Sequence, residues 1–319
     1  MAKSLITGGA GFIGSHLAEA LVERGDEVVV LDDLSTGKRA NLDAVAGQVR
    51  LVVGSVTDRD LVLECCQGVD VVYHEAALAS VPRSVADPLA SNEANVAGTL
   101  TVLWAAHRQG VRRVVYAASS SAYGDTEVLP KREDMLASPL SPYAVSKYVG
   151  ELYCAVFTRL YGLSTIGLRY FNVFGPRQDP HSQYAAVVPI FITRLLRNEP
   201  PVIDGDGGQS RDFTYVRNVV QANLLAGAAR DPGGVTVNVA CGESITLNDL
   251  FQEIKALTGA TVDATHGPAR AGDVRHSQAD IGRAGQILGY RPQVGFAQGL
   301  KETVAWYGQS TGSDVRVDV

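Results

Sequence analysis

The chain has 319 residues, of which 46% are hydrophobic and 19% charged, and 28 basic against 34 acidic side chains give a formal net charge of −6. The length fits two domains or one large α/β unit, and the composition is that of a folded globular protein. Because no run of Lys and Arg could neutralise a phosphate backbone, we do not expect nucleic acid as a partner.

The four cysteines include one adjacent pair and no C-x-x-C, which matches neither a disulfide framework nor a zinc site: Cys65, Cys66, Cys154 and Cys241. We expect buried free thiols in a reducing cytosol. No stretch approaches the ~18 apolar residues of a membrane span. The short apolar run after Lys3 is also unlike a signal peptide. We therefore expect a cytoplasmic protein with no membrane partner.

Short runs rich in Val, Ile and Leu predict strands that are buried on both faces, at residues 4–7, 27–31, 49–53, 69–73, 111–117 and 165–169. Helix-length stretches alternate with them, at 14–24, 58–66, 95–109 and 143–161. This alternation predicts an α/β fold with a Rossmann-type, doubly wound parallel sheet.

The rhythm changes after Asn172 to a region rich in Pro and Gly, which predicts a smaller α/β substrate-binding domain. A helix and strand predicted at 216–229 and 235–240 return the chain to the sheet. We therefore expect one domain at 1–171 plus about 214–243, and the second at 172–213 plus 244–319.

A glycine-rich turn joins the first predicted strand to the first predicted helix. Gly8, Gly11 and Gly14 are three residues apart, which permits a tight turn and close approach of backbone N–H groups to a pyrophosphate. Asp32, at the end of the next strand, would accept hydrogen bonds from an adenosine ribose, and Asp33 would repel a 2′-phosphate. The sequence therefore predicts NAD rather than NADP.

Two basic residues downstream of Asp32 and Asp33 favour NADP instead. Lys38 and Arg39 lie close enough in sequence to reach a 2′-phosphate. We interpret them instead as solvated surface residues.

A Tyr and a Lys are placed one turn apart on a helix that Ser141 and Pro142 open. Tyr143 and Lys147 share a face because they are four residues apart. The ammonium, together with a positively charged nicotinamide ring, would lower the pKa of Tyr143 from its usual value of about 10. Tyr143 is therefore a candidate general base.

A serine cluster, Ser119-Ser120-Ser121, follows the strand predicted at 111–117. Ligands bind at the carboxyl ends of parallel strands, so a hydroxyl here can hydrogen-bond a substrate hydroxyl. The alternative is an ordinary turn.

Together these motifs make the chain resemble the extended short-chain dehydrogenase/reductase superfamily over essentially its whole length, and within it the nucleotide-sugar 4-epimerases. Further matching motifs are His74-Glu75-Ala76-Ala77, Asn95-Val96-Ala97-Gly98-Thr99, Arg169-Tyr170-Phe171-Asn172, Arg211-Asp212-Phe213 and Arg270-Ala271-Gly272-Asp273. The resemblance implies an isomerase with tightly bound NAD, a UDP-sugar substrate and a homodimer in which two helices of each chain form a four-helix bundle.

The resemblance also implies residue roles. Tyr143 is the base, Lys147 binds the nicotinamide ribose, and Ser119 and Ser121 orient the sugar. The implied cofactor contacts are Gly8, Gly11, Phe12, Ile13, Gly14, Asp32, Asp33, Leu34, Ser35, Thr36, Gly37, Ser55, Val56, Ala76, Ala77, Asn95, Tyr143, Lys147 and Tyr170. The implied substrate contacts are Ala79, Ser80, the three serines, Tyr143, Asn172, Ala186, Val187, Ile203, Arg211, Arg270, Asp273 and Ser277.

Positions at which this chain differs from related enzymes reduce the number of reactions that it could catalyse. Dehydratases carry Thr-Asp-Glu where this chain has three serines, and decarboxylases place Glu at Ser121. Epimerases of UDP-glucuronate have Thr at Asn172 and an Arg where this chain has Asp179, whose charge would repel a carboxylate. A non-catalytic regulator on this fold would lose Tyr143 or Lys147. Ser55 stands where many relatives bind adenine with an Asp, so weaker cofactor binding is expected.

The sugar is predicted from a small residue, Ser277, seven positions after Arg270. Epimerases restricted to glucose and galactose have a bulky Tyr there, and a longer Lys near Ala79 and Ser80. A small side chain leaves room for an N-acetyl group. We therefore expect interconversion of UDP-N-acetylglucosamine and UDP-N-acetylgalactosamine, and also of UDP-glucose and UDP-galactose. The alternative is an enzyme restricted to the non-acetylated pair. No metal is expected, because His74, His181 and His276 lack ligand spacing.

Overall fold

The computed structural model describes residues 2–180, 186–269 and 274–311. The strands are β1 Lys3–Thr7, β2 Glu27–Asp32, β3 Val49–Val53, β4 Val71–His74, β5 Arg113–Ser119, β6 Ser164–Tyr170, β7 Val173–Phe174, β8 Val202–Asp204, β9 Ser210–Arg211, β10 Thr214–Tyr215, β11 Thr236–Val239, β12 Ile245–Thr246 and β13 Thr265–Gly267.

The α-helices are α1 Phe12–Glu23, α2 Arg59–Cys65, α3 Val81–Ala86, α4 Pro88–Asn92, α5 Gly98–Arg108, α6 Pro142–Tyr161, α7 Val187–Leu196, α8 Val216–Ala228, α9 Leu247–Thr258, α10 Gly282–Leu288 and α11 Phe296–Thr311. A π-helical turn, Glu93–Ala97, joins α4 to α5. Short 3-10 helices span Arg39–Val45 and Ser120–Tyr123.

Seven of the strands form one parallel sheet in the order β11-β6-β5-β4-β1-β2-β3. Read from β3, six of these strands have the Rossmann order 3-2-1-4-5-6. The predicted fold class is therefore confirmed. The remaining strands pair as β7 with β10, β8 with β13 and β9 with β12.

Alternate residues of the strands enter two different cores. In β1, Ile6 joins the core beneath α1 and α8, whereas Leu5 joins the core beneath α2, α5 and α6. Val30 and Val29 of β2 divide in the same way. Because both faces are covered, the strands are mainly apolar on both sides rather than alternating between apolar and polar residues.

A third core is built from α7, α9, α11 and the short strands, around Phe174, Phe191, Phe213 and Phe251. Helix α10 departs from the expected domain division. Its Ala284 and Leu288 pack in the first core, against the large sheet.

Cys65, Cys66 and Cys154 are buried free thiols, as expected, whereas Cys241 is only partly buried. None of the helices in the described ranges is long and apolar enough to cross a membrane.

Candidate active site

The crevice of the fold opens between β1 and β4, where the strand order reverses. Thr7 and His74 are paired at the carboxyl ends of these strands. The chain leaves β1 into the glycine turn at Gly8 and leaves β4 into Glu75. The edge formed by β4, β5 and β6 then carries the remaining candidate side chains.

The glycine turn fits a dinucleotide pyrophosphate. Gly8 has φ +71°, and a Cβ there would lie 2.7 Å from the Ala76 backbone. A Cβ on Gly14 would lie 2.3 Å from the carbonyl oxygen of Gly8. No side chain caps α1, and its first turn has no acidic residue. The first N–H groups of the helix are therefore left for an anion.

Asp32 occupies the position suited to the adenosine ribose. Its buried carboxylate accepts hydrogen bonds from Ala10 N (2.9 Å) and Leu34 N (2.8 Å). Burial raises the pKa of this carboxyl, and the two backbone hydrogen bonds oppose the rise. Gly37 closes over it, since a Cβ there would lie 2.7 Å from Asp32 Oδ1. Asp33 is exposed and accepts from Ser35 N at 2.9 Å.

Lys38 forms an ion pair that the sequence did not reveal. Its Nζ lies 3.3 Å from Asp179 Oδ2. With 57% of its side chain exposed, Lys38 agrees with the interpretation as a solvated surface residue, and Asp179 is its partner there. The pair also weakens the argument that Asp179 would repel a substrate carboxylate, because its charge is balanced by Lys38.

On the expected adenine side, Ser55 Oγ lies 2.8 Å from Thr57 Oγ1 and accepts from Thr57 N. The neighbouring Val56 is buried against Gly98, where a Cβ would lie 2.6 Å from a Val56 methyl. Thr36 is exposed, Ile13 and Phe12 are partly buried, and Ala77 lies in the loop after β4.

The start of α6 is set by its cap. Ser141 accepts from Ala144 N at 3.1 Å and a proline occupies the first turn, as predicted. Tyr143 N donates to Ser84 Oγ at 3.0 Å, which ties this turn to α3. These contacts fix the position of the Tyr143 ring at the carboxyl edge of β5.

The Ser119 hydroxyl lies close to the Tyr143 phenol and favours its deprotonated form. Ser121 Oγ donates to Ser119 Oγ at 2.8 Å, so the Ser119 proton can be directed to the phenol oxygen. Burial raises the pKa of Tyr143, and the Ser119 hydroxyl opposes the rise. The predicted lowering of this pKa depends on Lys147 acting together with the positively charged nicotinamide ring, and it stays a prediction. Ser120 begins the 3-10 helix and is partly buried.

Lys147 is buried on α6, one turn after Tyr143. Its Nζ donates to the Ala117 carbonyl oxygen at 2.8 Å and lies 5.2 Å from the centroid of the Tyr116 ring. Burial lowers the pKa of Lys147 to about 8, and the carboxylates of Glu75 and Glu151 oppose this effect. The ammonium is thus held at the sheet edge by the backbone of β5.

A buried chain of hydrogen bonds connects the glycine turn to the helices. His74 Nδ1 lies 2.6 Å from Thr7 Oγ1, and its Nε2 lies 2.9 Å from Thr99 Oγ1. Thr99 donates its proton to Asn95 O at 2.5 Å, so it must accept from the Nε2–H of His74. Burial lowers the pKa of His74 to about 3. The ring is therefore neutral and links β1, β4 and α5.

Asn95 lies in the π-helical turn, and its side chain is hydrogen-bonded to other residues of the protein. Its Oδ1 accepts from Leu78 N at 2.8 Å and its Nδ2 donates to Ser146 Oγ at 3.0 Å. These bonds join the loop after β4 to α6. A direct cofactor contact by Asn95 stays a prediction.

Glu75 and Tyr170 form a pair that sequence reasoning missed. The Tyr170 hydroxyl donates to Glu75 Oε1 at 2.7 Å and accepts from Asn223 Nδ2 at 2.7 Å. Burial raises the pKa of Glu75 to about 7. The available signal was an acidic residue placed directly after a buried strand at the crevice.

A second missed residue, Asp212, organises the substrate side. Its buried carboxylate accepts from Cys241 N, Gly242 N and Ala279 N at 2.9, 3.0 and 3.1 Å. Burial raises the pKa of this carboxyl to about 6. Ser277, two residues before Ala279, is 9% exposed, and its N–H donates to Ser210 O at 3.1 Å.

The other expected substrate residues are spread around this region. Asn172 has φ +32° and donates to Asp212 O at 3.4 Å, and Arg211 Nη1 donates to Ser210 O at 2.8 Å. Ile203 is 1% exposed inside the third core, so its side chain packs against protein. Ala186 is the N-cap residue of α7 and Val187 begins the helix, whereas Ala79 is exposed and Ser80 caps α3. Arg270 and Asp273 lie outside the described residues.

The fold and the site together define an NAD-dependent enzyme built on a Rossmann sheet, with a Ser, Tyr and Lys at its edge. The sequence pattern of the NAD dependent epimerase/dehydratase family matches residues 4–240. The chain belongs to this family, and the resemblance stated above is confirmed. NAD is therefore the cofactor.

Three similar proteins extend the comparison. A putative UDP-glucose 4-epimerase of Methanocaldococcus jannaschii is 40% identical over 95% of this chain and 97% of its own. The structure of UDP-N-acetylglucosamine 4-epimerase from Methanobrevibacter ruminantium, in complex with UDP-N-acetylmuramic acid, has a TM-score of 0.93, with 40% identity over 97% and 99%. UDP-glucose 4-epimerase from Thermotoga maritima with UDP-glucose also has a TM-score of 0.93, with 39% identity over 97% and 99%.

Proposed function

We propose that the protein is an NAD-dependent UDP-sugar 4-epimerase that interconverts UDP-N-acetylglucosamine and UDP-N-acetylgalactosamine, and also UDP-glucose and UDP-galactose. The observation that carries the reaction type is the grouping of Tyr143 with Ser119, whose hydroxyl favours the deprotonated phenol, and with the buried ammonium of Lys147 one turn further along α6. This group can hold a sugar hydroxyl and accept its proton at the edge of the crevice.

In this proposal, Tyr143 accepts the proton of the C4 hydroxyl while Ser119 holds that hydroxyl in line with the phenol oxygen. Ser121, which donates to Ser119 Oγ, orients the Ser119 proton. NAD, when bound, supplies the acceptor and then the donor of the C4 hydride. Lys147 favours the deprotonated phenol by its charge. After the 4-keto sugar has rotated to present its opposite face, return of the hydride to C4 inverts that carbon, and Tyr143 returns the proton to the oxygen, so there is no net redox change.

We infer the glycine turn with Asp32 as the NAD site, and Asn172, Arg211 and Arg270 as ligands of the diphosphate. Residues 1–171 plus about 214–243 would form the NAD-binding part, with 172–213 plus 244–319 binding the UDP-sugar. Helix α10 belongs to the second part by sequence but packs against the large sheet of the first part.

The proposal for an acetylated substrate rests on Ser277. The segment that contains it is held by the Asp212 carboxylate and by the hydrogen bond to Ser210, so a small side chain is presented at a fixed position. Enzymes named for UDP-N-acetylglucosamine and for UDP-glucose are similar to this chain to nearly the same degree, with 40% and 39% identity, so the choice of sugar rests on the Ser277 argument.

We further propose that the chain forms a homodimer through α5 and α6. Val145 and Leu152 of α6 are 46% and 49% exposed and lie two turns apart on one side of the helix. Such a face is stabilised when a second apolar face covers it. Light scattering should give about twice the 33.8 kDa mass of the monomer, and Leu152→Glu should give the monomer mass. A wild-type monomer at micromolar concentration argues against the dimer.

The test of the reaction is proton NMR of purified protein incubated separately with UDP-N-acetylglucosamine, UDP-glucose and UDP-glucuronate. Tyr143→Phe is the inactive control, and its unchanged unfolding midpoint shows that it is folded. Faster conversion of UDP-N-acetylglucosamine supports the Ser277 argument. Conversion of UDP-glucose alone overturns the acetyl specificity and keeps the 4-epimerase. Conversion of UDP-glucuronate alone assigns the chain to the acidic sugar instead.

A further inference from the structure

Glu75 and Lys147 carry opposite charges and lie at the same edge of the sheet. His74 of β4 pairs with Tyr116 of β5, so the next residues, Glu75 and Ala117, are level with each other at the carboxyl edge. Neighbouring strands are about 4.8 Å apart. The Lys147 ammonium, which comes from α6, donates to the Ala117 carbonyl at 2.8 Å. The ammonium and the Glu75 carboxyl are therefore close enough to act on each other through their charges.

The other carboxylate near Lys147 is already matched by a cation. Glu151, one turn further along α6, accepts two hydrogen bonds from Arg169, at 2.9 and 2.7 Å. Glu75, in contrast, is held by the neutral phenol of Tyr170, which Asn223 in turn fixes as a donor. The side chains of His74 and Tyr116, which also lie near Lys147, are uncharged near neutral pH.

We propose that Glu75, oriented by Tyr170, is a positioning residue that acts as the counter-charge of Lys147 and keeps it in the ammonium form. The proposal rests on the role given to Lys147 above, because it names the residue that maintains the charge acting on Tyr143. Glu75 touches neither the sugar nor its proton in this scheme. Its effect passes entirely through Lys147.

The direct test is titration of the lysine side chains by NMR. The chain has six lysines, so protein labelled with ¹³C at the lysine ε-carbons gives few signals, and Lys147→Arg assigns the one of interest. Glu75→Gln keeps the shape and removes the charge. We expect the Lys147 titration midpoint to fall by about one pH unit or more in this variant. Glu64→Gln, at an exposed ion pair with Arg50, is the matched control and should not move it.

The second readout is the pH dependence of kcat. Loss of activity on the alkaline side should begin at lower pH in Glu75→Gln by the same amount, whereas a purely structural effect would lower kcat equally at all pH values. Unchanged Lys147 midpoints overturn the proposal. If Glu75→Gln does not fold, Tyr170→Phe serves instead. It removes the hydrogen bond that favours the charged carboxylate and should lower the Lys147 midpoint by a smaller amount.

Failure of the proposed function can be distinguished from failure of the charge pairing between Glu75 and Lys147. Wild-type protein that converts no nucleotide sugar contradicts the proposed function, and the NMR titration still decides the charge pairing. Wild-type protein that is active, with equal Lys147 midpoints in wild type and Glu75→Gln, contradicts the pairing alone.

Discussion

Gly150 of α6 lies directly against the phenol of Tyr116 on β5: a Cβ at Gly150 would be 2.2 Å from the Tyr116 hydroxyl oxygen. That hydroxyl donates to the Lys147 carbonyl oxygen at 3.1 Å. The close approach therefore sets the distance between the sheet and the helix that carries Tyr143 and Lys147.

Gly150→Ala should destabilise the protein, although Gly→Ala in a helix ordinarily stabilises by up to about 1 kcal/mol. The added methyl must displace a buried ring, which costs about 1–3 kcal/mol. The unfolding free energy from urea titration should fall by that amount, and kcat should fall about tenfold as α6 shifts. Gly285→Ala in α10 is the control, since its Cβ would meet its nearest atom at 3.6 Å. Equal stability of Gly150→Ala and wild type contradicts the packing argument.

Gly37→Ala should weaken NAD binding. Its Cβ would lie 2.7 and 2.9 Å from the two carboxylate oxygens of Asp32, so the acid proposed to hold the ribose must move. We expect the Kd for NAD to rise about tenfold, an effect of roughly 1.4 kcal/mol, with UDP binding unchanged. Calorimetry with each ligand measures both. Gly295→Ala, with open space at its Cβ, should leave both values as they are. Unchanged NAD affinity in Gly37→Ala would remove Asp32 from the proposed site.

His74 should make the protein less stable in acid. In the unfolded chain His74 binds a proton below its ordinary pKa of 6.5, whereas the folded protein binds it only near pH 3. Its contribution is therefore present above pH 6.5 and is lost as the pH falls toward 3. The slope is at most about 1.4 kcal/mol per pH unit. Urea titrations of wild type and His74→Gln between pH 4 and 7 measure the difference in slope.

Titration of Glu75 changes the free energy of unfolding in the opposite direction to that of His74, over an overlapping pH range. Its folded pKa of about 7 exceeds the ordinary 4.5, so its contribution is present below pH 4.5 and is lost as the pH rises through 7. Glu75→Gln should therefore lose stability more steeply than wild type on acidification from pH 7 to 4.5. Parallel curves for the three proteins would contradict both titrations.

Replacing Arg169 alone should lower the free energy of unfolding more than replacing both Arg169 and its partner Glu151. Glu151 and Arg169 are 6% and 4% exposed and share two hydrogen bonds. Arg169→Met leaves a buried carboxylate unpaired, which costs about 3–5 kcal/mol. The double variant Glu151→Leu with Arg169→Met removes both charges and should recover most of the loss. Urea unfolding of the two variants decides this, and a double variant as unstable as the single one would show that packing dominates.

Much of the sheet could be predicted because its strands are buried on both faces. The run predicted at 49–53 agrees with β3, and the others agree within two residues, since continuous Val, Ile and Leu leave little ambiguity in a parallel sheet. Helices α3, α7, α9 and α11 were not predicted individually. Of these, α7, α9 and α11 lie in segments where turns and short strands interrupt the pattern, and their apolar faces pack in the third core.

The residues themselves determined the local devices: the glycine turn before α1, the Ser141 cap, and Tyr143 and Lys147 one helical turn apart. Each depends on neighbours within a few positions. Only the tertiary structure decided which distant polar and charged groups contact each other. Lys38 with Asp179, Glu75 with Tyr170, and Asp212 with Cys241 and Ala279 are brought together by strand register and by loops that return from distant segments. Burial then sets the pKa of each buried carboxyl, and burial is a property of the packed molecule rather than of the residue.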